Sequence, residues 1–195
     1  MPFSVVYDAC VLHPPSLRDL LIRVARAGIV QARWSEEILD ECFGSIRRER
    51  PEIREEQLQR TRTLMNAALP GANVTGYASL VSELSLRDSG DRHVLAAAIR
   101  SSAQAPAIVT FNIADFPDAA LRGYDIEAKH PDEFVMNCID IAPAIVVRVV
   151  TEQAGDLQRP PVTVAELLGR LRARGLVQSV ARLNDLMLAS AYWGR

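Results

Sequence analysis

The chain has few cysteines for its 195 residues, and these are not arranged as a metal site or a disulfide framework. Cys10, Cys42 and Cys138 are an odd number, and none of them has the close spacing to another cysteine that zinc sites use. Free thiols are typical of reducing compartments. We therefore expect a protein of the cytoplasm.

A targeting segment and a long apolar run are both lacking. The N-terminus has no basic region, and Asp8 comes too early for a signal peptide. The most apolar later stretch, residues 141–150, is short and contains Pro143 and Arg148, which excludes a membrane span. No membrane partner is expected.

A strong excess of either charge is absent as well, since 22 basic and 24 acidic residues give a net charge of -2. Such a chain is not expected to hold nucleic acid by bulk electrostatics. Lysine is nearly absent, because every basic residue except Lys129 is an arginine. The arginines within residues 47–62 suit phosphate oxygens, but the glutamates between them favour a solvated helix face.

Several catalytic motifs are missing. The chain has no glycine-rich phosphate loop and no G-x-S-x-G elbow. His13, His93 and His130 have no zinc-type spacing to the cysteines. Asp8 is followed by alanine and cysteine, so the D-x-D motif of haloacid-dehalogenase phosphatases is not present either.

What the sequence does have is an alternation of short β-rich stretches with helical ones. Residues 4–12, 107–111 and 124–130 contain the clearest strand signals, and apolar residues at helical spacing lie between them. This alternation predicts an α/β fold with a central parallel sheet and helices on its faces. From Pro131 the pattern is helical, so we expect one domain over residues 1–130 and a helical extension over 131–195.

Local signals set further expectations. Ser16 and Ser35 are typical caps at helix starts. Residues 51–71 and 91–104 are predicted as helices, and residues 72–77 as a strand.

Carboxylates follow two of the predicted strands, and two more lie in helices. Asp8 follows the first strand and Asp115 a later one, and the carboxyl ends of parallel strands border the ligand crevice of an open α/β sheet. Glu41 lies on a helix and Asp91 in a first helical turn. Brought together, four such carboxylates form the oxygen-only site that Mg²⁺ and Mn²⁺ prefer.

Each carboxylate also has an ordinary interpretation. Asp8 suits an Asx-turn or a helix cap, and Asp88 suits an N-cap. Asp91 suits the positive end of the helix dipole. Glu37 and Glu41 share a helix face four residues apart, which is mildly unfavourable unless a positive group is nearby.

Four motifs in order resemble those of PIN-domain nucleases, and within these the VapC-type toxins of prokaryotic toxin–antitoxin modules. They are "VVYDACVL", "SEEILDE", "DRHVLAAA" and "VTFNIADF", and they cover residues 4 to about 127. The resemblance implies a three-layer α/β/α sandwich and an endoribonuclease that depends on Mg²⁺ or Mn²⁺.

The resemblance also implies a set of site residues. The catalytic metal ligands carried over by motif are Asp8, Glu41, Asp91 and Asp115. The supporting residues are Asp88, Thr110, Asn112 and Glu37, of which Glu37 is the alternative to Glu41.

The implied partners are an RNA substrate, a cognate antitoxin protein and a second copy of the chain in a homodimer. The helices after Pro131 exceed the compact toxin pattern; they either complete the core, build a dimer or accept the antitoxin. Two rival functions stay open at this point. One is a non-catalytic PIN-like binding module, and the other is a housekeeping RNA-processing nuclease.

Overall fold

The computed structural model describes residues 3–101 and 107–193. Within these ranges the strands are β1 (Ser4–Tyr7), β2 (Gln31–Arg33), β3 (Ala107–Val109) and β4 (Glu127–Lys129). They form one sheet in the order β2-β1-β3-β4, and each neighbouring pair is parallel. The parallel sheet predicted from the alternating pattern is confirmed.

Helices connect and follow the strands. They are α1 (Ala9–Leu12), α2 (Pro15–Arg26), α3 (Glu36–Glu49), α4 (Glu55–Ala68), α5 (Ala78–Val81), α6 (Arg92–Ser101), α7 (Asp118–Leu121), α8 (Pro131–Ile141), α9 (Pro143–Asp156), α10 (Val164–Ala173) and α11 (Val177–Trp193). The predicted α/β fold, a three-layer α/β/α sandwich followed by C-terminal helices, is therefore confirmed.

The middle of the sheet positions the site. β1 is buried at all four positions, as expected for valine and tyrosine in a central parallel strand. Tyr7 pairs with Val109 in the register, and the amide of Asp8 donates to the carbonyl of Val109 at 3.1 Å. The carboxyl ends of β1 and β3 thus lie side by side, and Asp8 lies next to Thr110.

Two helix starts differ from the prediction. Ser16 does not cap a helix, because α2 already begins at Pro15, whose missing N–H is no loss in a first turn. The helix predicted from residue 51 begins at Glu55, because residues 51–53 form a turn and the Gln57 side chain accepts the Arg54 amide at 3.1 Å.

The strand predicted over residues 72–77 is not formed. It is reduced to a single bridge between Trp34 and Asn73. Pairing cannot continue along the neighbouring chain, because Ser35 turns it into α3 by accepting the amide of Ile38. The helix predicted over residues 91–104 begins at Arg92 and is described as far as Ser101; its predicted end lies outside the described residues.

The C-terminal extension contains two pairs of consecutive helices, α8 with α9 and α10 with α11, and each pair is separated by a short break. α8 and α9 are separated at Ala142, because Pro143 lacks an amide hydrogen and disfavours the helical conformation in the residue before it. α10 and α11 are separated near Gly175, whose φ of 92° suits glycine. No single helix in the described ranges is long and apolar enough to cross a membrane; α8 and α9 pass that test only as a pair bent by 119°.

Contacts divide the chain into two compact units. The first contains the sheet and comprises the residues up to His13 together with Val30–His130. The second comprises Pro14–Ile29, which includes α2, and the residues from Pro131 on. The domain boundary at residue 130 stays a prediction. The contacts show in addition that α2 packs with the C-terminal helices α9 and α10.

Candidate active site

Asp8 is the most deeply placed carboxylate at the end of the sheet. Its side chain is almost entirely buried, with 4% of the residue surface exposed. One oxygen accepts the amide of Ala9 at 2.6 Å, so Asp8 also caps the short helix α1. The other oxygen accepts the hydroxyl of Thr110 at 2.7 Å and the thiol of Cys10 at 3.1 Å. The cap and the site role expected from the sequence therefore coincide in one side chain.

These contacts set the ionisation of the two buried groups. Burial raises the pKa of Asp8, the hydrogen bonds from Thr110 and Cys10 lower it, and the charge of Glu41 raises it. Burial and the charge of Asp8 raise the pKa of the Cys10 thiol to about 12. Cys10 therefore stays a neutral donor to Asp8 and is not a nucleophile.

Asp91 lies in the 3₁₀ turn Ser89–Asp91, directly before α6. The preceding Asp88 caps this turn by accepting the amide of Gly90 at 2.8 Å, as predicted. Partial burial has the largest effect in raising the pKa of Asp91 to about 6. The charges of four carboxylates raise it further, in decreasing order Asp8, Asp115, Asp88 and Glu41. The structure thus brings all four predicted catalytic carboxylates into electrostatic contact.

Asp115 and Asn112 come from the segment that follows β3. Asp115 ends the 3₁₀ turn Ile113–Asp115 and is half-buried, whereas Asn112 is exposed. The amide of Asn112 donates to the Thr110 hydroxyl at 3.0 Å, so this segment is tied to the group that binds Asp8.

Glu37 and Glu41 lie on α3, four residues apart and both more than half exposed. Glu41 affects the pKa values of Asp8 and Asp91, which joins it to the site. Glu37 bonds instead with Tyr77. Between the two glutamates that the sequence left as alternatives, the electrostatics favour Glu41.

His93 is a site residue that the sequence reasoning missed, having considered it only as a zinc ligand. Its Nε2 lies 3.5 Å from Glu41 Oε2, and its Nδ1 lies 3.8 Å from Glu37 Oε2. Burial lowers the pKa of His93, but the bond to Glu41 and the charges of Glu37, Glu41 and Asp8 raise it overall. The signal was in the sequence, because two glutamates four residues apart call for a positive group nearby.

An open cavity of about 230 Å³ borders Glu41. Its lining residues are Ala9, Cys10, His13, Cys42, Ser45 and Glu49. The cavity therefore reaches Glu41 and Cys10, and Cys10 in turn donates to Asp8.

Comparison with known proteins identifies the family. A model of the PIN domain matches residues 4–114, which is more than half of the chain and contains the sheet strands β1 to β3 and Asp8, Glu41 and Asp91. The chain belongs to the PIN domain family. A second model, the VapC50 C-terminal domain, matches residues 131–185 and accounts for the extension. The predicted VapC-type resemblance with a C-terminal extension is confirmed.

A curated relative supports the same assignment. The Mycobacterium tuberculosis protein named "Putative ribonuclease VapC50" is 38% identical over 96 residues, which is 49% of this chain and 55% of the relative. The chain therefore spans about half the length of the curated relative that it matches. No solved structure matches the chain significantly.

The carboxylates of this PIN domain suit a hard divalent cation by their chemistry. All are oxygen donors. Burial first and the charges of the neighbouring carboxylates second raise the pKa of Asp91, and a bound cation would relieve this repulsion. Within the described ranges, no three His, Cys, Asp or Glu side chains are close enough to form a metal site by themselves. Mg²⁺ commonly keeps several waters and takes only one or two carboxylates, which is compatible with this spacing.

Proposed function

We propose that this PIN domain protein is an Mg²⁺- or Mn²⁺-dependent endoribonuclease that hydrolyses RNA phosphodiester bonds. The observation that carries the proposal is the mutual repulsion of the carboxylates around Asp91 at the carboxyl ends of the central strands. The family assignment and the relative's printed name as a ribonuclease support it. A non-catalytic binding module gives no reason to hold five carboxylates together with His93 as the partner of only one of them, Glu41.

In this proposed reaction, the residues of the candidate active site have distinct roles. Asp8, Asp91 and Asp115 would hold the cation, in part through water molecules that it keeps, and Glu41 would bind a second one or orient a water. Thr110 holds Asp8 at 2.7 Å, which restricts the rotation of this carboxylate. Asp88 fixes the turn that carries Asp91, and Asn112 ties its own segment to Thr110. A bound divalent cation would supply water activation and neutralise charge on the scissile phosphate.

We further propose that the chain acts in the cytoplasm as the toxin of a type II toxin–antitoxin pair and forms a homodimer. Its matches to the PIN domain and to the VapC50 C-terminal domain support this biological role. The partner would be a cognate antitoxin protein, and the substrate would be RNA. A housekeeping RNA-processing nuclease would use the same chemistry but would not arrest growth when expressed alone.

The decisive experiment is RNA cleavage by the purified protein. Single-stranded RNA is incubated with Mn²⁺, with EDTA and with the Asp8→Asn variant, whose amide oxygen can still accept the Ala9 amide. We expect cleavage only by the unaltered chain with Mn²⁺, and an unaffected rate for the control Asp185→Asn on the exposed side of α11. Equal cleavage under all conditions would contradict the proposal.

Growth on expression tests the toxin role separately. Asp91→Ala should abolish growth arrest while the folded protein still accumulates, as checked by circular dichroism. Arrest that persists with this variant would refute a catalytic role for Asp91 in toxicity.

A further inference from the structure

His93 lies between the two exposed glutamates of α3 and the carboxylates of the candidate active site. It belongs to α6, two residues after Asp91, and only 15% of its side chain is exposed. Its Nε2 lies 3.5 Å from Glu41 and its Nδ1 lies 3.8 Å from Glu37. One nearly buried imidazole therefore links α6, which follows Asp91, to α3, which carries Glu41.

Glu41 needs such a partner to be useful in the site. Its side chain is 54% exposed, so in the absence of a contact it would sample many rotamers. The neighbouring Glu37 and the charge of Asp91 both repel it, and together they favour conformations that point into solvent. A hydrogen-bond donor such as His93 opposes this repulsion and limits the rotation of the Glu41 side chain.

The two nitrogens of His93 are not equivalent in this arrangement. The distance of 3.5 Å from Nε2 to Glu41 is at the limit for a hydrogen bond. The distance of 3.8 Å from Nδ1 to Glu37 is beyond this limit. Glu37 also has a second partner in Tyr77. The contact with consequences for the site is therefore the one from Nε2 to Glu41.

We infer that His93 is a positioning residue, whose Nε2–H holds the Glu41 carboxylate towards Asp8, Asp91 and Asp115 and thereby strengthens divalent metal binding. The metal itself rests on the proposed function. In this role His93 acts through its contact with Glu41. Partners of this kind around metal ligands change metal affinity by 10- to 100-fold when they are removed.

Three substitutions separate the nitrogen from the bulk of the ring. His93→Gln places an amide nitrogen near the position of Nε2, His93→Asn places one near Nδ1, and His93→Phe fills the space with no donor. Mn²⁺ affinity of the RNA-free protein is measured by calorimetry, and thermal unfolding without metal reports folding. We expect His93→Gln to keep the affinity within about threefold, and the other two to lose about tenfold.

A double-substitution cycle tests whether the effect passes through Glu41. In the Glu41→Ala background, His93→Phe should cause no further loss of Mn²⁺ affinity, whereas in the Glu37→Ala background it should still cause one. With RNA present, saturating Mn²⁺ should restore the kcat of His93→Phe, because the defect lies in metal binding.

The outcomes distinguish this inference from the proposed function. Equal Mn²⁺ affinities of the His93→Gln and His93→Phe variants would overturn the inference while leaving RNA cleavage intact. The expected affinity pattern in a protein that cleaves no RNA would uphold the role of His93 and overturn the nuclease proposal. A chain that binds no Mn²⁺ at all would overturn both.

Discussion

The hydroxyl of Thr110 bonds the most deeply buried carboxylate of the site to the segment after β3. It donates to Asp8 at 2.7 Å and accepts the amide of Asn112 at 3.0 Å, and Thr110 itself is fully buried. A buried carboxylate that loses a donor is destabilised more than an exposed one, because water cannot replace the lost bond.

Thr110→Val is therefore expected to destabilise the protein by about 2 kcal/mol at neutral pH and to raise the pKa of Asp8 further. Urea unfolding measures the stability. The matched control is Thr110→Ser, which keeps the hydroxyl and should lose less. Equal midpoints for the two variants would show that the hydroxyl contributes nothing.

Asp91 gives a pH-dependent stability whose sign follows from its raised pKa. The folded value is about 6, and the ordinary value is 3.8. Between pH 3.8 and about pH 6, Asp91 keeps a proton in the folded chain that it releases in the unfolded chain. The contribution of Asp91 to the free energy of unfolding therefore falls as the pH rises towards 6.

In metal-free protein, Asp91→Asn should therefore stabilise the fold at pH 7.5 by about 1 kcal/mol, a figure discounted because Asp91 is half-exposed and solvent screens it. The gain should vanish below pH 4. Unfolding with EDTA at both pH values checks this, with Asp185→Asn as the control. A gain that does not change with pH would argue against the carboxylate repulsion.

At the scale of elements, helix starts position the site and also stabilise the C-terminal unit. Ser35 begins the helix that presents Glu41, and the turn capped by Asp88 presents Asp91. In the second unit, the buried Asp132 of α8 accepts the amides of Gln178 and Ser179, both at 2.9 Å, at the start of α11.

Removing this contact should loosen α11 first. Asp132→Ala leaves the amides of Gln178 and Ser179 without their acceptor, whereas the Ser179 hydroxyl keeps the backbone carbonyl of residue 132, and we expect a loss of about 2 kcal/mol. Hydrogen exchange of the α11 amides should accelerate accordingly. The control is Asp140→Ala, an exposed residue of the same helix; an equal effect of both substitutions would contradict the assignment.

The elements also show what local sequence could predict. β1, β3 and the cap at Ser35 were predictable, because buried apolar runs and cap residues act over a few positions. The strand expected at residues 72–77 was not, because strand formation depends on a partner, and Trp34 offers only one bridging position. The motif order predicted that Asp8, Glu41 and Asp115 lie near Asp91. The two glutamates of α3 indicated only a positive group nearby, and that this group is His93 depends on a contact between α3 and α6.

At the scale of the whole chain, one helix lies in a different unit from its sequence neighbours. α2 falls inside the region matched by the PIN domain model, yet it packs with α9 and α10. Gln153 donates to the carbonyl of Ser16 at 2.8 Å, and Arg23 pairs with Asp156 at 2.8 Å. No local pattern could predict these contacts, because they join residues more than 130 positions apart.

A chain ended after His130 should therefore fail to stay soluble. It would retain α2 but lose the helices that cover its apolar side, which is formed by Leu17, Leu20, Leu21 and Val24. Expression followed by size-exclusion chromatography tests this. The same truncation with Leu17→Lys and Leu21→Lys is the companion variant, and it should recover part of the solubility. A monodisperse, folded product without these changes would show that α2 does not need its partners.

The placement of α2 also determines the order in which the protein can be completed on the ribosome. Translation is vectorial, and α2 emerges long before α9 and α10 exist. At about 5–20 residues per second, the 116 residues between Arg26 and Pro143 take about 6 to 23 seconds to synthesise. During that interval the apolar side of α2 has none of its native partners on α9 and α10. The second unit can close only after α9 and α10 have been synthesised.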